Sequence, residues 1–497
     1  MDGLYTADTE KWAILRYTGK RKLVIFGTGV RAKKFFAFHT AHLPIQMVID
    51  NDKNKSGKSL GDVVETVSDA ANRALIIHPM DDLQELNNDD TFVFIANATP
   101  DPLINQLAEV GIKNYITFDD WWRMQTGLPI KQKIKNNKII FFMYMHGAHE
   151  KAITQQLLRY RSDLDVVWVV NKLRNDAPPE VRQVLATNRY DCNWEASSAK
   201  VWVTGLEILD DYYKKRDGQT YVQVKHWSSL TLKVFGPECN RRVVTEEEYH
   251  NIKKAYSDNN KKMDVVFSGS DFDEESCRRG WGYKGRVIRV GSPRSDVIFA
   301  PKYKANICQY IDVDESVNLA MYAPTFRWPF DGNKPTNDMD FELLYSCLKK
   351  RFGGEWRILL RMHPLVTDQA REISYPDFVS NVSEYHDSEE LAAAADITIT
   401  DFSSIMFEPA YVYKPVFLYA PDKEEYQKEH PLLLDYDNLP FPTCVTNEEL
   451  AQAILNYDEM KYKMKLKYFF DSYGVQEDGH ASERAAMYIL GLMDAKR

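Results

Sequence analysis

DITITDFSSIMFEPAYVYK, residues 396–414, sets the reading of the whole chain. Ile397 to Thr400 form a β-branched run suited to a buried strand. Asp401, Ser403 and Ser404 follow at once, with helix-capping residue types where a strand hands over to a helix. A helix N-terminus offers unpaired N–H groups and about half a positive charge, and hydroxyls on its first turn add donors. The stretch therefore predicts a phosphate seat at the carboxyl end of a strand. An ordinary capped helix without a ligand uses the same residue types.

The surrounding sequence repeats the pattern. Asn318 to Ala323 predict a strand ending in Pro324-Thr325-Phe326-Arg327, and Trp356 to Arg361 another ending in Met362-His363-Pro364. In a parallel sheet Arg327, Arg361 and His363 reach the same edge as Ser403 and Ser404. Cations there suit a diphosphate, since charge-assisted bonds to phosphate are about twice as strong as neutral ones. Asp387 precedes Ser388-Glu389-Glu390 as an N-cap, and Glu408 falls one turn into the central helix; either acid suits nucleotide hydroxyls.

Upstream, Lys138 to Met145, Val166 to Val170, Val201 to Thr204 and Tyr221 to Lys225 predict the strands of another α/β unit. It presents His146 and His149 after its first strand and His226 after a later one. His226 shares its turn with Lys225, Ser228 and Ser229, and an imidazole there suits taking a proton from an alcohol. His146 and His149 are expected in structural or acceptor-side roles. Arg294, in Gly291-Ser292-Pro293-Arg294-Ser295-Asp296, suits either a phosphate or an internal acid. At the N-terminus, Lys22 to Phe26 lead into Gly27-Thr28-Gly29, and a second strand ends at Asp50. Glycines allow a tight turn near phosphate, and an acid about twenty residues on can hold a ribose hydroxyl. The alternative is that the glycines only let helix pack on sheet.

A chain of 497 residues is too long for one core and predicts about three domains. Hydrophobic content of 44% and charged content of 27% are those of a soluble globular protein. The net charge of −9 argues against a general nucleic-acid binder. Residues 1–15 lack the features of a signal peptide, and the longest apolar run, Ile139 to Met145, is too short for a membrane span. Six scattered cysteines without a CxxC pair indicate neither a disulfide framework nor a zinc site, which suits a reducing cytoplasm. Met460 to Phe470, MKYKMKLKYFF, is basic and aromatic. Its lysines recur every second residue and spread around a helix, which predicts a solvated helix rather than a lipid-binding face.

The ordered blocks YVQVKHWSSLTLK, GSPRSD, MYAPTFR, LRMHP, HDSEELAAAADITITDFSSIMFEPAYVYKPVFLY and DGHASER resemble the CDP-glycerol glycerophosphotransferase family, the teichoic-acid primases and polymerases of bacterial envelopes. The resemblance runs from about Lys138 to the C-terminus. It implies an α/β fold of GT-B architecture, with two facing Rossmann-like domains at about 138–310 (acceptor side) and 311–497 (CDP-donor side). Residues 1–125 are then an extra small Rossmann-like module with a weak nucleotide site at Gly27, Gly29 and Asp50. Carried over by position, the family's catalytic histidines fall on His226 and His363. Its donor-phosphate contacts fall on Arg327, Ser403 and Ser404, beside Arg361 and the weaker candidates Asp387 and Glu408. One departure stands out: the family's base histidine is usually followed by Gly-Thr-Pro, here by Trp227-Ser228-Ser229. That loop is expected to shape the acceptor side.

The implied reaction moves a polyol phosphate, glycerol phosphate first, from a CDP-activated donor to a hydroxyl on a cell-envelope polymer, teichoic acid or capsule, and releases CMP. The CDP-polyol is a substrate, so no cofactor is expected, and no compact carboxylate pair announces a metal site. The expected partners are the CDP-polyol and a lipid-linked or oligosaccharide acceptor. The expected place is the bacterial cytoplasm, with peripheral contact at the inner face of the membrane. Two alternatives are a GT-B nucleotide-sugar glycosyltransferase and a catalytically altered nucleotide-binding scaffold.

Overall fold

The computed structural model describes residues 21–38, 42–87, 89–126, 132–143, 147–186, 189–208, 213–240, 244–300, 302–325, 327, 339–362 and 374–495. The chain forms two compact units, Met1–Gln132 with Val184–Ser197 and Asp211–Lys214, and Lys133–Gln183 with Ser198–Asp210 and Lys215–Arg497.

The first unit is built on five parallel strands, β1 (Lys22–Phe26), β2 (Ile45–Ile49), β3 (Ile77–His78), β4 (Thr91–Ile95) and β5 (Tyr115–Thr117), in the order β3-β2-β1-β4-β5. Alternation along β1 sends Leu23 and Ile25 to one face and Val24 and Phe26 to the other. The first face is closed by α1 (Val30–Phe38) and Trp121, the second by Leu103 and Leu107 of α2 (Asp101–Glu109). Both faces are therefore apolar, as a parallel sheet requires. Gly27 turns at φ +99°, close under the Ala96 carbonyl, so a side chain there is excluded. Asp50 departs from the ribose role expected of it. Its Oδ2 accepts from the Thr28 N–H at 2.8 Å, the Thr28 hydroxyl and Lys55 Nζ at 3.1 Å, while Oδ1 accepts from Asp52 N at 2.9 Å. The carboxylate is engaged in closing its own glycine turn.

The second unit holds two sheets. In the first of them β6 (Lys135–Met143), β7 (Asp165–Val170), β8 (Arg182–Leu185), β9 (Ala199–Thr204), β10 (Thr220–Gln223), β11 (Val265–Ser268) and β12 (Arg286–Arg289) lie in the order β12-β11-β10-β9-β6-β7-β8. The other contains β13 (Asn318–Ala323), β14 (Trp356–Leu360), β15 (Val379–Asn381), β16 (Ile397–Thr400), β17 (Val416–Tyr419) and β18 (Thr443–Cys444), all parallel, in the order β15-β14-β13-β16-β17-β18. Along β13, Ala320 and Tyr322 enter one apolar cluster and Leu319 and Met321 the opposite one. The buried ITIT and VFLY runs of β16 and β17 follow from cover on both faces.

Six helices of this unit bear on the site: α3 (Ala148–Tyr160), α4 (Asp271–Trp281), α5 (Ser388–Ala394), α6 (Phe407–Ala410), α7 (Glu459–Tyr473) and α8 (Ala481–Asp494). The last returns to the first sheet of the unit, where it packs on α3 and sets Tyr488 edge-on to Phe267. Its N-terminus is capped by Asp296, which accepts from Ala481 N at 2.9 Å and Ser482 N at 2.7 Å. The capping carboxylate thus comes from 186 residues upstream of Ser482. Among the described residues, no helix is long and apolar enough to cross a membrane.

On α7, Tyr462, Leu466, Phe469 and Phe470 are buried, and the Tyr462 hydroxyl joins the helix to β17 by donating to the Lys414 carbonyl at 2.9 Å and accepting from Val416 N at 3.0 Å. Tyr462→Phe removes only that hydroxyl and strands both backbone groups, so it is expected to cost about 1–3 kcal/mol in urea unfolding with little change in secondary structure.

Candidate active site

β10 is wholly buried, and its end is bent into a largely buried turn by Lys225, a non-glycine residue at φ +70°. Strain of this kind persists only where the surroundings hold it. Here the Lys225 ammonium pairs with buried Asp273 of α4, which also accepts from Trp227 Nε1 at 3.0 Å and Gly269 N at 2.8 Å. The next two carbonyls are fixed as well. Arg294 Nη1 donates to the His226 carbonyl at 2.7 Å, and His149 Nε2 donates to the Trp227 carbonyl at 2.8 Å. His149 Nδ1 accepts from Arg294 N at 3.3 Å, so this imidazole is neutral with its proton on Nε2, and burial holds its pKa well below the ordinary value. His149 is a structural residue. The His226 residue is exposed, its ring edge-on to Trp227 at 4.9 Å between centroids.

His226 opens on a small cavity lined also by Phe142, Glu150, Gly205, Lys225 and Arg294. These positions lie at or beyond the carboxyl ends of β6, β9, β10 and β12, where open α/β sheets bind ligands. The residues that replace Gly-Thr-Pro are not on that wall, contrary to the expectation that they shape the acceptor side. Trp227 is buried against Phe235 and Trp281, Ser228 Oγ meets Tyr411 Oη at 2.9 Å, and Ser229 donates to Glu477. The three side chains anchor the loop from behind.

Arg294 meets internal acids. Its Nη2 pairs with Glu389 of α5, and its Nε lies 3.0 Å from Glu408 of α6 without a well-directed hydrogen bond. Ser295 Oγ donates to the other Glu408 oxygen at 2.5 Å. Burial pushes Glu389 up to about 7 against the pull of Arg294, and it raises Glu408 as well. Asp387 caps α5 by accepting from Glu389 N and Glu390 N, and its Oδ2 accepts from Lys151 Nζ at 2.9 Å. Lys151 also lies 3.2 Å from both Glu390 and Asp176. The acids foreseen as acceptors for nucleotide hydroxyls, Asp387 and Glu408, are thus committed to ion pairs and hydrogen bonds inside the fold. His386, Asp387 and Glu390 place ligand atoms within 4.8 Å of one another, close enough for a metal ion, but the Lys151 ammonium already sits between the two acids.

At the edge of the other sheet, Arg327 and the Ser403–Ser404 turn come together through Asp401. Arg327 Nη2 donates to Asp401 Oδ2 at 2.8 Å, and Asp401 Oδ1 accepts from Thr325 N at 2.8 Å and Phe402 N at 2.6 Å. Arg327 also holds Asp422 with Nε at 2.5 Å and Nη2 at 2.9 Å, donates to the Thr325 carbonyl at 2.6 Å, and lies 4.6 Å above the Tyr426 ring centroid. Its guanidinium braces the turn. Arg361 is buried, with Nη1 donating to the carbonyls of Val382 at 3.2 Å, Ser383 at 2.5 Å and Tyr385 at 2.7 Å. Both arginines foreseen for phosphate are engaged by protein acceptors. Ser403 caps a single 3₁₀ turn, Ser404–Met406, by accepting from Ile405 N at 3.4 Å, and α6 ends at Ala410. The helix expected after β16 is therefore only a short one, and the dipole available to an anion is small. Ser403 and Ser404 are only partly buried. His363 and His146 lie outside the described residues.

Residues 123–491 match the family described as CDP-Glycerol:Poly(glycerophosphate) glycerophosphotransferase. The chain belongs to this family. Among its relatives, a teichoic acid poly(glycerol phosphate) polymerase of Bacillus spizizenii is 27% identical over 72% of this chain and 93% of its own. A teichoic acid glycerol-phosphate transferase of Staphylococcus aureus is 25% identical over 73% of this chain and 96% of its own. In fold, the chain is similar to the wall teichoic acid polymerase TagF, with a TM-score of 0.63 and 24% identity over 76% of this chain and 96% of that one.

Within this family member, sequence reasoning missed Glu150 and the Lys151 network, because their neighbours come from strands and helices far along the chain. It also missed Glu477, whose carboxylate accepts from Ser229 and, at 3.0 and 3.1 Å, from Ser292 N. Burial pushes Glu477 from 4.5 up to about 7. A carboxyl raised by folding binds its proton more tightly in the folded state, so that stability is present below the unfolded value and is lost as pH rises through the folded one. Stability against urea should therefore fall between about pH 5 and 7.5, and Glu477→Gln should flatten that slope by roughly 1 kcal/mol per pH unit.

Proposed function

We propose that this chain transfers glycerol phosphate from CDP-glycerol to a hydroxyl on a growing teichoic acid, with His226 as general base. The observation that carries this is the exposure of His226 into a cavity at the strand ends while its loop is clamped from behind by Arg294, His149 and Asp273. The acceptor hydroxyl gives its proton to the imidazole as its oxygen bonds to the distal phosphorus, and the bond from that phosphorus to CMP breaks. Such a reaction asks the protein mainly for positioning and charge stabilisation. Ser403, Ser404 and His363 are read as the donor-phosphate contacts, with Arg327 holding their turn through Asp401. Arg361, Asp387 and Glu408 are read as framework. The N-terminal unit, with its β3-β2-β1-β4-β5 order, is read as a Rossmann-like module.

The acceptor is read as lipid-linked and the enzyme as peripheral on an anionic membrane. Support comes from α7, where Met460, Met464 and Tyr468 are 74%, 61% and 79% exposed and recur every fourth residue. A spacing of two sends lysines alternately to either flank of that stripe, Lys461 and Lys465 on one side and Lys463 and Lys467 on the other. Lys463 and Lys467 pair with Glu459 and Asp471 at 2.5 and 2.7 Å, so the net basic border of the apolar stripe is the Lys461–Lys465 flank, and that combination suits an anionic interface.

His226→Ala should lower transfer by about three orders of magnitude or more, within the range of lost general-base catalysis and positioning, while CDP-glycerol affinity stays within about threefold. Release of CMP, read by chromatography, distinguishes this reaction from glycosyl transfer, which releases a nucleoside diphosphate. In vesicle sedimentation, the wild type should bind phosphatidylglycerol vesicles in a salt-sensitive way and phosphatidylcholine vesicles weakly. Met464→Asp combined with Tyr468→Asp should abolish this binding and leave transfer to a soluble acceptor unchanged; wild type that binds neither vesicle rules out the lipid contact.

A further inference from the structure

The cavity beside His226 holds a carboxylate that neither the fold nor the proposed chemistry explains. Glu150, in the first turn of α3, is 3% exposed and lines the cavity wall. Gly205, just past β9, makes room for it, since a β-carbon there would lie 2.7 Å from Glu150 Oε1 and 2.7 Å from the Lys225 carbonyl. The Gly205 N–H helps to hold the carboxylate. Among the described residues Glu150 makes no ion pair. The nearby cations are engaged elsewhere: Arg294 by Glu389 and Glu408, Arg174 by Asp176 at 2.7 Å, and Lys225 by Asp273. His149 uses both ring nitrogens on backbone groups.

Arg174 and Arg294 attract the Glu150 carboxylate from a distance, but a buried carboxylate without a direct ion pair is costly to a fold. The contacts it makes leave acceptor capacity, because a carboxylate offers about four lone-pair sites. A ligand rich in hydroxyls would use that capacity. We propose that Glu150 reads the acceptor, its carboxylate taking a hydrogen bond from the hydroxyl adjacent to the nucleophile on a glycerol or sugar terminus while the nucleophilic hydroxyl faces His226. This rests on the reading of the cavity as the acceptor side and adds to it the chemical class that fits, a vicinal diol. Burial pushes the Glu150 carboxyl up to about 7, so near neutral pH it also carries a proton part of the time and can donate to a hydroxyl oxygen.

The test is binding without turnover. Two short glycerol phosphate oligomers, one ending in an intact glycerol and one whose terminus lacks the neighbouring hydroxyl, are titrated calorimetrically into the full chain in the absence of donor. Wild type should prefer the diol terminus by at least tenfold. Glu150→Gln, which preserves volume, and Glu150→Ala should both reduce the preference to less than twofold, with CDP-glycerol affinity and melting temperature retained. Wild type that binds neither oligomer, wild type without preference, or a preference that survives in both variants overturns the proposal. So does an equal loss of oligomer and CDP-glycerol binding, which would mark Glu150 as structural. CMP release is assayed separately, so failure of the transferase reading appears as absent turnover even where the diol preference holds.

Discussion

One buried guanidinium fixes the geometry on which the site depends. Arg294 reaches the His226 carbonyl with one nitrogen and Glu389 and Glu408 with the others, so the base loop of one sheet is referred directly to two helices of the next. A planar, permanently charged group with donors in a fixed fork can do this, whereas a lysine would supply one point charge. The two acids around one cation leave a surplus of negative charge in a buried place. Burial raises the pKa of both acids against the pull of Arg294, which makes the charged pair costly to keep there.

The same logic explains the unusual loop after His226. Small residues at 227–229 would keep the backbone contacts of Arg294 and His149 but lose the side-chain packing behind the strained Lys225 turn. Trp227 instead fills the space against Phe235 and Trp281, while Ser228 and Ser229 bond to Tyr411 and Glu477 from the other half of the unit. The substitution thus reinforces the back of the loop and leaves the cavity wall to Glu150, Gly205 and His226.

The fold was largely legible because its signals are local. The buried runs VVWVV, ITIT and VFLY, the glycine turn at Gly27 and the N-cap at Asp387 each carry their reason within a few residues. What was legible of the site was the position of polar groups at strand ends, including His226, Arg327 and the Ser403 turn. Their partners were not. Whether Arg327 faces a ligand or Asp401 and Asp422, whether Arg361 turns to phosphate or to three carbonyls, and whether Asp50 meets a ribose or Thr28 are decided by contacts across 20 to nearly 100 residues. The short helix after Ser404 is likewise a tertiary outcome, as α6 gives way after one turn to a residue at positive φ, Tyr413.

Chain order gives α8 a further significance. The flank that α8 covers with Ala485, Ala486, Ile489 and Met493 belongs to the sheet whose strands leave the ribosome earliest in this unit. Until α8 has been synthesised, that flank has no native cover, and Asp296 waits with an unfilled capping role. Vectorial synthesis therefore hands the nascent polypeptide an interval in which its older half stays incomplete and adhesive.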